Sequence, residues 1–321
     1  MILLWGLPGD PPLAAVLAAL RERHAEVAFL DEHKILETEV EFDGTLAGAV
    51  RMPGTEIDLA QIRAVYLRPY DLRRLPAVSE TLLREGNGGP AFRHALAVED
   101  ALLSWCEVTR ALVLNRPSHM ASNSSKPYQS FLIRSQGFRI PETLITTDPE
   151  AAREFCERHR EVIYKSISGV RSIVTRMTEK DLSRLDDVRW CPTQFQAWVT
   201  GEDYRVHVVG EEVFACRITS AAADYRYARS QGADLKIEAY KLPEDLSDAC
   251  CRLAHFLGLG VAGIDLRRTP EGTWYCFEAN PSPGFTFYQE STGQLIDSAI
   301  AELLVSSTLK PAAPDGVNNK L

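Results

Sequence analysis

Short apolar runs alternate with amphipathic stretches along the first third of the chain. Ile2 to Trp5 is continuously apolar and reads as a strand. Gly6-Leu-Pro-Gly-Asp10 carries turn chemistry, residues 13–23 read as an Ala/Leu-rich helix, and Glu26 to Leu30 as a short strand. Residues 35–52 predict a hairpin with Asp43-Gly44 at its turn. Ala64 to Leu67 is a further β-rich run ending in Arg68-Pro69-Tyr70, and residues 84–90 form a loop. Residues 91–109 predict a long amphipathic helix with Leu96, Leu102, Leu103 and Val108 among its apolar positions, and Val113-Leu114 a buried strand. Together these elements predict a small α/β layer.

A second block begins near Asn115. Ser125-Lys126-Pro127-Tyr128 opens a helix to about Ser135, Thr143 to Thr146 is a strand, and Pro149 starts a helix to about His159. Val162-Ile-Tyr-Lys165 is a strand that ends in a lysine, followed by a loop over Ser166 to Ser172 and a return strand over Ile173 to Arg176. A third block is β-rich at Phe195–Val199, Tyr204–Val209 and Val213–Ile218. It continues with a helix over 244–257, strands at Val261–Leu266 and Trp274–Ala279, and a last helix over Asp297 to Ser306. The Pro- and Asn-bearing tail from Lys310 reads as disordered.

Composition narrows the function classes. The 321 residues are 45% hydrophobic and 25% charged, with a formal charge of −9, an ordinary globular balance. A net negative chain is a poor match for bulk nucleic-acid binding, which needs a positive surface to displace counterions. Seven cysteines without a C-x-x-C pair point to reduced thiols in a cytoplasmic protein, neither a zinc site nor a disulfide framework. The N-terminus lacks a basic n-region, and no uncharged run approaches the ~18 residues of a membrane span.

Three places carry candidate chemistry. On the strand ending Phe277-Glu278-Ala-Asn280, Glu278 and Asn280 share a face by alternation. Asp265, in Gly263-Ile-Asp265-Leu, can meet them from the neighbouring strand. Three hard oxygen donors suit Mg²⁺; a solvated sheet face is the plain alternative. Lys126 and Lys165 form the second feature. Lys165 precedes a small-residue loop whose backbone N–H groups can approach phosphate oxygens, although a surface lysine at a hairpin tip fits too. The third is Phe195-Gln-Ala-Trp-Val199 followed by Gly201-Glu-Asp203-Tyr-Arg205. An apolar strand with a free edge can hold a purine, and an acid just beyond can take ribose hydroxyls. Arg205 and Arg226 can reach a phosphate or an oxyanion, or sit in surface ion pairs. There is no P-loop and no G-x-S-x-G elbow.

In this order, these features resemble the ATP-grasp ligases, an α+β fold in which nucleotide lies between two subdomains. The likeness runs over about 110–305 and is greatest to the ribosomal-protein glutamate ligase (RimK-like) branch. Within it, the chain is most similar to the peptide-modifying enzymes that make microviridin-type graspetides. Leu114-Asn115-Arg116-Pro117, Ser125-Lys126-Pro-Tyr-Gln129, Gly137 to Ile145, Tyr164 to Gly169 and Asn280 to Gly293 carry that likeness.

The resemblance implies an N-terminal α/β domain over 1–114 and a central subdomain with a phosphate flap over 115–195. It implies a C-terminal subdomain with the metal site over 196–309, ahead of the tail 310–321. It implies that Lys126 and Lys165 hold the phosphates, that Gln196, Ala197, Trp198 and Val199 form the adenine linker, and that Asp203 meets the ribose. Asp265, Glu278 and Asn280 would bind Mg²⁺, with Mn²⁺ as an alternative, and Arg205 and Arg226 would contact the reacting groups. Two departures stand out. Ala197 lies where relatives often carry an acid, so adenine contacts there fall to the backbone, and the flap is poor in glycine. The expected activity is ATP-dependent activation of a carboxylate as an acyl phosphate, with ADP and phosphate as products, and its joining to an amine or hydroxyl on a peptide. A ligase for free amino acids or other small metabolites, and a non-catalytic ATP-binding protein, are the alternatives. No nucleic-acid or membrane partner is expected; the oligomeric state is left open, a homodimer included.

Overall fold

A computed structural model describes residues 1–45, 47–86, 88–166, 175–220 and 234–309. The chain divides into two compact units, one of residues 1–118 together with the segment from Leu295, the other of residues 119–294.

In the first unit, strand β1 (Ile2–Gly6) is buried throughout. Helix α1 (Pro11–Glu22) starts where Asp10 accepts the Leu13 N–H and prolines occupy the first turn, positions where a missing N–H costs nothing. β2 (Val27–Asp31) follows, then β3 (Glu39–Phe42), β4 (Gly48–Met52) and β5 (Thr55–Asp58), which form a separate antiparallel sheet that contains the expected hairpin. β6 (Ala64–Arg68) leads to α2 (Pro76–Glu85), a helix the sequence reading did not place, then α3 (Pro90–Val108) and β7 (Leu112–Leu114). The main sheet runs β2-β1-β6-β7, all parallel. After β7, the Arg116 guanidinium donates to the carbonyls of Cys106, Glu107, Thr109 and Ala111, closing the end of α3 that its own ladder leaves open.

Glu32 lies at the end of β2, 1% exposed, and accepts the Tyr70 N–H at 2.9 Å. Burial pushes its carboxyl up to about 8 from an ordinary 4.5. The unfolded chain therefore ionises first, and stability present below about pH 4.5 is lost progressively as the pH rises to about 8. Glu99, raised to about 7 chiefly by burial, adds a slope of the same sign. In Glu32→Gln, an amide that keeps the acceptor, urea unfolding midpoints at pH 5.5 and pH 8 should move closer together, with a gain at pH 8 on the order of a few kcal/mol. An unchanged gap between the two midpoints would show that Glu32 is ionised in the fold.

The short helix α4 (Pro117–Met120) leads into α5 (Lys126–Ser135), whose N-cap is Ser125. The second unit then holds β8 (Thr143–Thr146), α6 (Pro149–Arg158), β9 (Val162–Ser166), β10 (Thr175–Arg176), α7 (Glu179–Leu182) and β11 (Thr193–Ala197). It continues with β12 (Glu202–Val209), β13 (Glu212–Ser220), β14 (Leu235–Tyr240), α8 (Glu244–Phe256), β15 (Val261–Arg268), β16 (Trp274–Asn280) and α9 (Thr286–Thr292). Two sheets result, β10-β9-β11-β8 and β14-β13-β12-β15-β16. Phe195 on the first packs with Phe155, Val162 and Leu185. One face of the second, with Tyr204, Val206, Val208, Ile264 and Leu266, packs with Leu253 and Cys250 of α8.

The last helix, α10 (Ile296–Leu309), packs against α1 and β6 of the first unit. Arg23 donates to Ser298 Oγ at 2.6 Å. The sequence reading had put this helix with the C-terminal subdomain over 196–309. Its apolar stripe shows that it is buried, without showing against what.

Candidate functional site

The polar face of the larger sheet follows from strand alternation. Val206 and Val208 turn to the core, so Asp203, Arg205 and His207 turn away from it. Across the ladder, Arg205 stands opposite Asp265, and His207 opposite Gly263. Asp265 in turn stands opposite Glu278, and Gly263 opposite Asn280. The expected trio therefore shares one face, with both carboxylates directly paired across strands. A β-bulge adjoins this pair. The register passes from Asp265↔Glu278 to Leu266↔Cys276, and leaves Phe277 as the extra residue. Cys276 and Ala279 are thereby both buried in the core, with Glu278 and Asn280 on the other side.

Asn280 Oδ1 accepts the Ser282 N–H at 2.9 Å, so its carboxamide is oriented. Arg205 donates from Nη1 to Asp265 Oδ1 at 2.7 Å, with its own side chain 7% exposed. An ideal Cβ on Gly263 would lie 2.1 Å from Arg205 Nη2, so the glycine makes the space the guanidinium fills. Among the described residues no group of three His, Cys, Asp or Glu side chains gathers as a metal site. The trio is two carboxylates and an amide, a donor set that fits a hard cation leaving positions for water and phosphate.

The smaller sheet carries the second feature. Gln194 stands opposite Lys165 and Gln196 opposite Ile163. Alternation thus puts Lys165 on the face of both glutamines, away from Phe195. Gln196 is 4% exposed and donates from Nε2 to Thr143 Oγ1 at 3.1 Å. The Oε1 atoms of Gln194 and Gln196 are buried without a hydrogen-bond partner, an arrangement that costs free energy unless a donor arrives. An adenine amino group is such a donor, so these residues fit a bound nucleotide. In the linker, the Ala197 N–H donates to Glu142 and the Trp198 N–H to Glu161. Those two backbone donors are therefore committed to the sheet.

Two residues escaped the sequence reading. Arg267 grips Asp203 with Nε–Oδ1 at 2.7 Å and Nη2–Oδ2 at 3.0 Å, and donates to the Val199 carbonyl at 2.8 Å. Its Cζ lies 4.7 Å from the Trp198 ring centroid, and Arg176 adds a second guanidinium at 4.0 Å. Asp203, the expected ribose partner, thus also ties the linker to β12. The only hint in the sequence was the basic pair Arg267-Arg268 at a strand end. The other residue is Gln129, part of the Ser125 to Gln129 motif but given no role by the sequence, which is buried on α5. It donates to the Ala279 carbonyl at 2.9 Å and accepts the Ala279 N–H at 3.3 Å. In this way it fastens the helix that begins at Lys126 to the edge strand between Glu278 and Asn280.

Arg226 and the flap residues 167–172 lie outside the described residues, as do the tail 310–321 and most of the Tyr/Ala-rich stretch 218–242. The seven cysteines are free. Burial holds the thiols of Cys106, Cys216 and Cys250 up at about 12, which deprives them of thiolate character. No helix among the described residues is long and apolar enough to cross a membrane.

A mixed α/β chain with a cation-bearing sheet and an acid-bearing sheet has clear counterparts. The ATP-grasp ligase PsnB, solved with a phosphomimetic variant of a minimal precursor, Mg and ADP, superposes at a TM-score of 0.81 with 28% identity. That match covers 96% of this chain and 98% of PsnB. The macrocyclase MdnC of Microcystis aeruginosa MRC, bound to precursor peptide MdnA, shares the fold at a TM-score of 0.78 and 21% identity over 96% of this chain and 100% of its own. Residues 122–304, more than half of the chain, match the RimK-like ATP-grasp domain, and the chain belongs to that family. A probable alpha-L-glutamate ligase of Pasteurella multocida is 28% identical over 211 residues, which are 62% of this chain and 66% of that protein. The chain thus spans about two thirds of this curated relative.

Proposed function

We propose that this protein is an ATP-dependent ligase that converts a carboxylate into an acyl phosphate, releases ADP, and passes the acyl group to an amine or hydroxyl of a peptide. The observation that carries this reading is the shared face of Arg205, Asp265, Glu278 and Asn280. The peptide substrate rests on the likeness to PsnB, solved with its minimal precursor. The curated relatives named as glutamate ligases favour a second reading, addition of a free amino acid.

A carboxylate attacking a triphosphate brings two anions together, so the chain must supply positive charge where they approach. Lys126 and Lys165 would hold phosphate oxygens, and Arg205 would screen the incoming carboxylate and stabilise charge spread over the transferring group. Asp265, Glu278 and Asn280 would hold Mg²⁺, which supplies charge neutralisation when bound. Gln196 to Val199 would seat the adenine, and Asp203, while held by Arg267, keeps lone pairs for a ribose hydroxyl. The acyl phosphate then yields to the acceptor through a tetrahedral oxyanion, and phosphate leaves. No protein nucleophile is needed. Arg226 takes the reacting-group role in this scheme, by resemblance alone.

ADP and phosphate should appear in equal amounts only when a carboxylate and its acceptor are both supplied; AMP and pyrophosphate would mean adenylation instead. Replacing a candidate peptide by free glutamate as the acceptor separates the two readings. Lys165→Ala should weaken ADP binding, measured by calorimetry, at least about tenfold, against no change for Arg21→Ala on the exposed side of α1. Equal effects of the two would remove Lys165 from the site.

A further inference from the structure

β12 reads Val206-His207-Val208-Val209, one imidazole in an otherwise apolar run, and the structure buries it to 1% exposure on the face of Arg205. We propose that His207 positions Arg205: its Nε2 accepts the Arg205 Nε–H and fixes the plane of the guanidinium beside Asp265. The inference rests on the reading that Arg205 meets the reacting groups.

His207 Nε2 lies 3.4 Å from Arg205 Nε and 3.4 Å from the Gly284 carbonyl oxygen. The first neighbour is a donor and the second an acceptor, so one ring nitrogen cannot serve both. Were Nε2 protonated it would donate to Gly284, and the Arg205 Nε–H would point at another N–H. With the proton on Nδ1, Nε2 offers its lone pair to a charged donor, the stronger of the two bonds. Burial and the adjacent guanidinium hold the imidazole well below its usual range, so the ring stays neutral and one tautomer must be chosen. The Tyr288 ring lies tilted against it, with centroids 5.1 Å apart, and Arg205 Cζ lies 5.8 Å from that same ring.

Each nitrogen of the guanidinium is thereby placed. Nε meets His207, Nη1 meets Asp265, and Nη2 fills the space left by Gly263. A charge held in one plane costs nothing to reorient when an anion develops beside it. Without His207 the charge remains, but Nε loses the acceptor that fixes the plane of the group. Gly284 closes the Pro281-Ser-Pro-Gly turn that follows Asn280. The same imidazole therefore also touches the segment leaving the metal-ligand strand.

Two measurements test this. On the unaltered protein, ¹⁵N spectra of the histidines should show His207 with an unprotonated, pyridine-like Nε2; a protonated Nε2 overturns the proposal. In variants, His207→Phe keeps a ring against Tyr288 and removes the acceptor, while His207→Gln supplies an acceptor oxygen. His207→Phe should lower kcat for ADP formation about tenfold with KM for ATP within about twofold, and broaden the Arg205 Nε–H signal. His207→Gln should recover most of the loss. If kcat is unchanged in His207→Phe, or if kcat and KM fall together without rescue by glutamine, His207 is a packing residue only. Arg205→Ala separates the two levels. Full turnover in that variant removes Arg205 from the reaction, whereas lost turnover there beside an unaffected His207→Phe removes His207 alone.

Discussion

Glu278→Gln is expected to reduce ADP formation at least about a thousandfold, roughly 4 kcal/mol of transition-state stabilisation, with little change in thermal midpoint. Glutamine keeps the volume and one acceptor oxygen of glutamate but removes a unit of negative charge. The charge matters because Glu278 stands directly across from Asp265, whose own carboxylate is already shared with Arg205. A hard cation between these strands would lose one of its two anionic ligands and keep Asn280, a neutral one. The fold has little at stake. Asp265 and Glu278 are both partly exposed, and the sheet's core is made by the residues of the opposite face. Glu150→Gln, on the exposed side of α6, is the matching control. Unaltered ADP formation in Glu278→Gln, at saturating Mg²⁺, would sink the metal assignment and with it the ligase reading.

The same residue shows how far the sequence carries. Alternation alone puts Glu278 and Asn280 on one face, because period 2 is a local property of a strand. The bulge at Phe277 is not local: it appears only when β16 is laid against β15, and nothing in Trp274 to Asn280 announces it. The Arg267–Asp203 grip and the Gln129–Ala279 pairing have the same character. Each joins residues far apart in sequence, and each partner looks like an ordinary polar position until the strands are assembled. α10 is the clearest case at the scale of the fold. Its apolar positions dictate burial, whereas the choice of α1 and β6 as partners is a property of the whole first unit. Buried acids obey the opposite logic. Glu32 sits in Asp31-Glu-His-Lys34, a run that reads as solvated surface, and is buried because β2 ends beneath the Tyr70 backbone. What was legible was placement by residue order: Glu278 and Asn280 on one face, with Asp265 on the strand beside them. What was not legible was which neighbours hold them in place.

Gly263→Ala is expected to cost about a hundredfold in kcat while ADP affinity and thermal midpoint barely move. Glycine within a strand is ordinarily a liability, and alanine there gains on backbone entropy. At this position the added Cβ would lie 2.1 Å from Arg205 Nη2 and 2.6 Å from Pro283 Cβ, closer than a Cβ approaches any non-bonded heavy atom. The cheapest relief is movement of the guanidinium, the far end of a long side chain, and not of backbone. Its displacement breaks the 2.7 Å contact with Asp265 and leaves the core face of β15 untouched. The remaining relief, a shift of the turn at Pro283, disturbs the segment that orients Asn280 through the Ser282 N–H. Either way the loss falls on geometry at the acid-bearing face, so it should appear in kcat and spare binding at the smaller sheet. A double-mutant cycle makes the claim sharp. If the glycine serves only to seat Arg205, then Gly263→Ala introduced into Arg205→Ala should cost almost nothing further. Losses that multiply instead would mean that the glycine acts on the turn or on Asn280, and that the seat for the guanidinium is incidental.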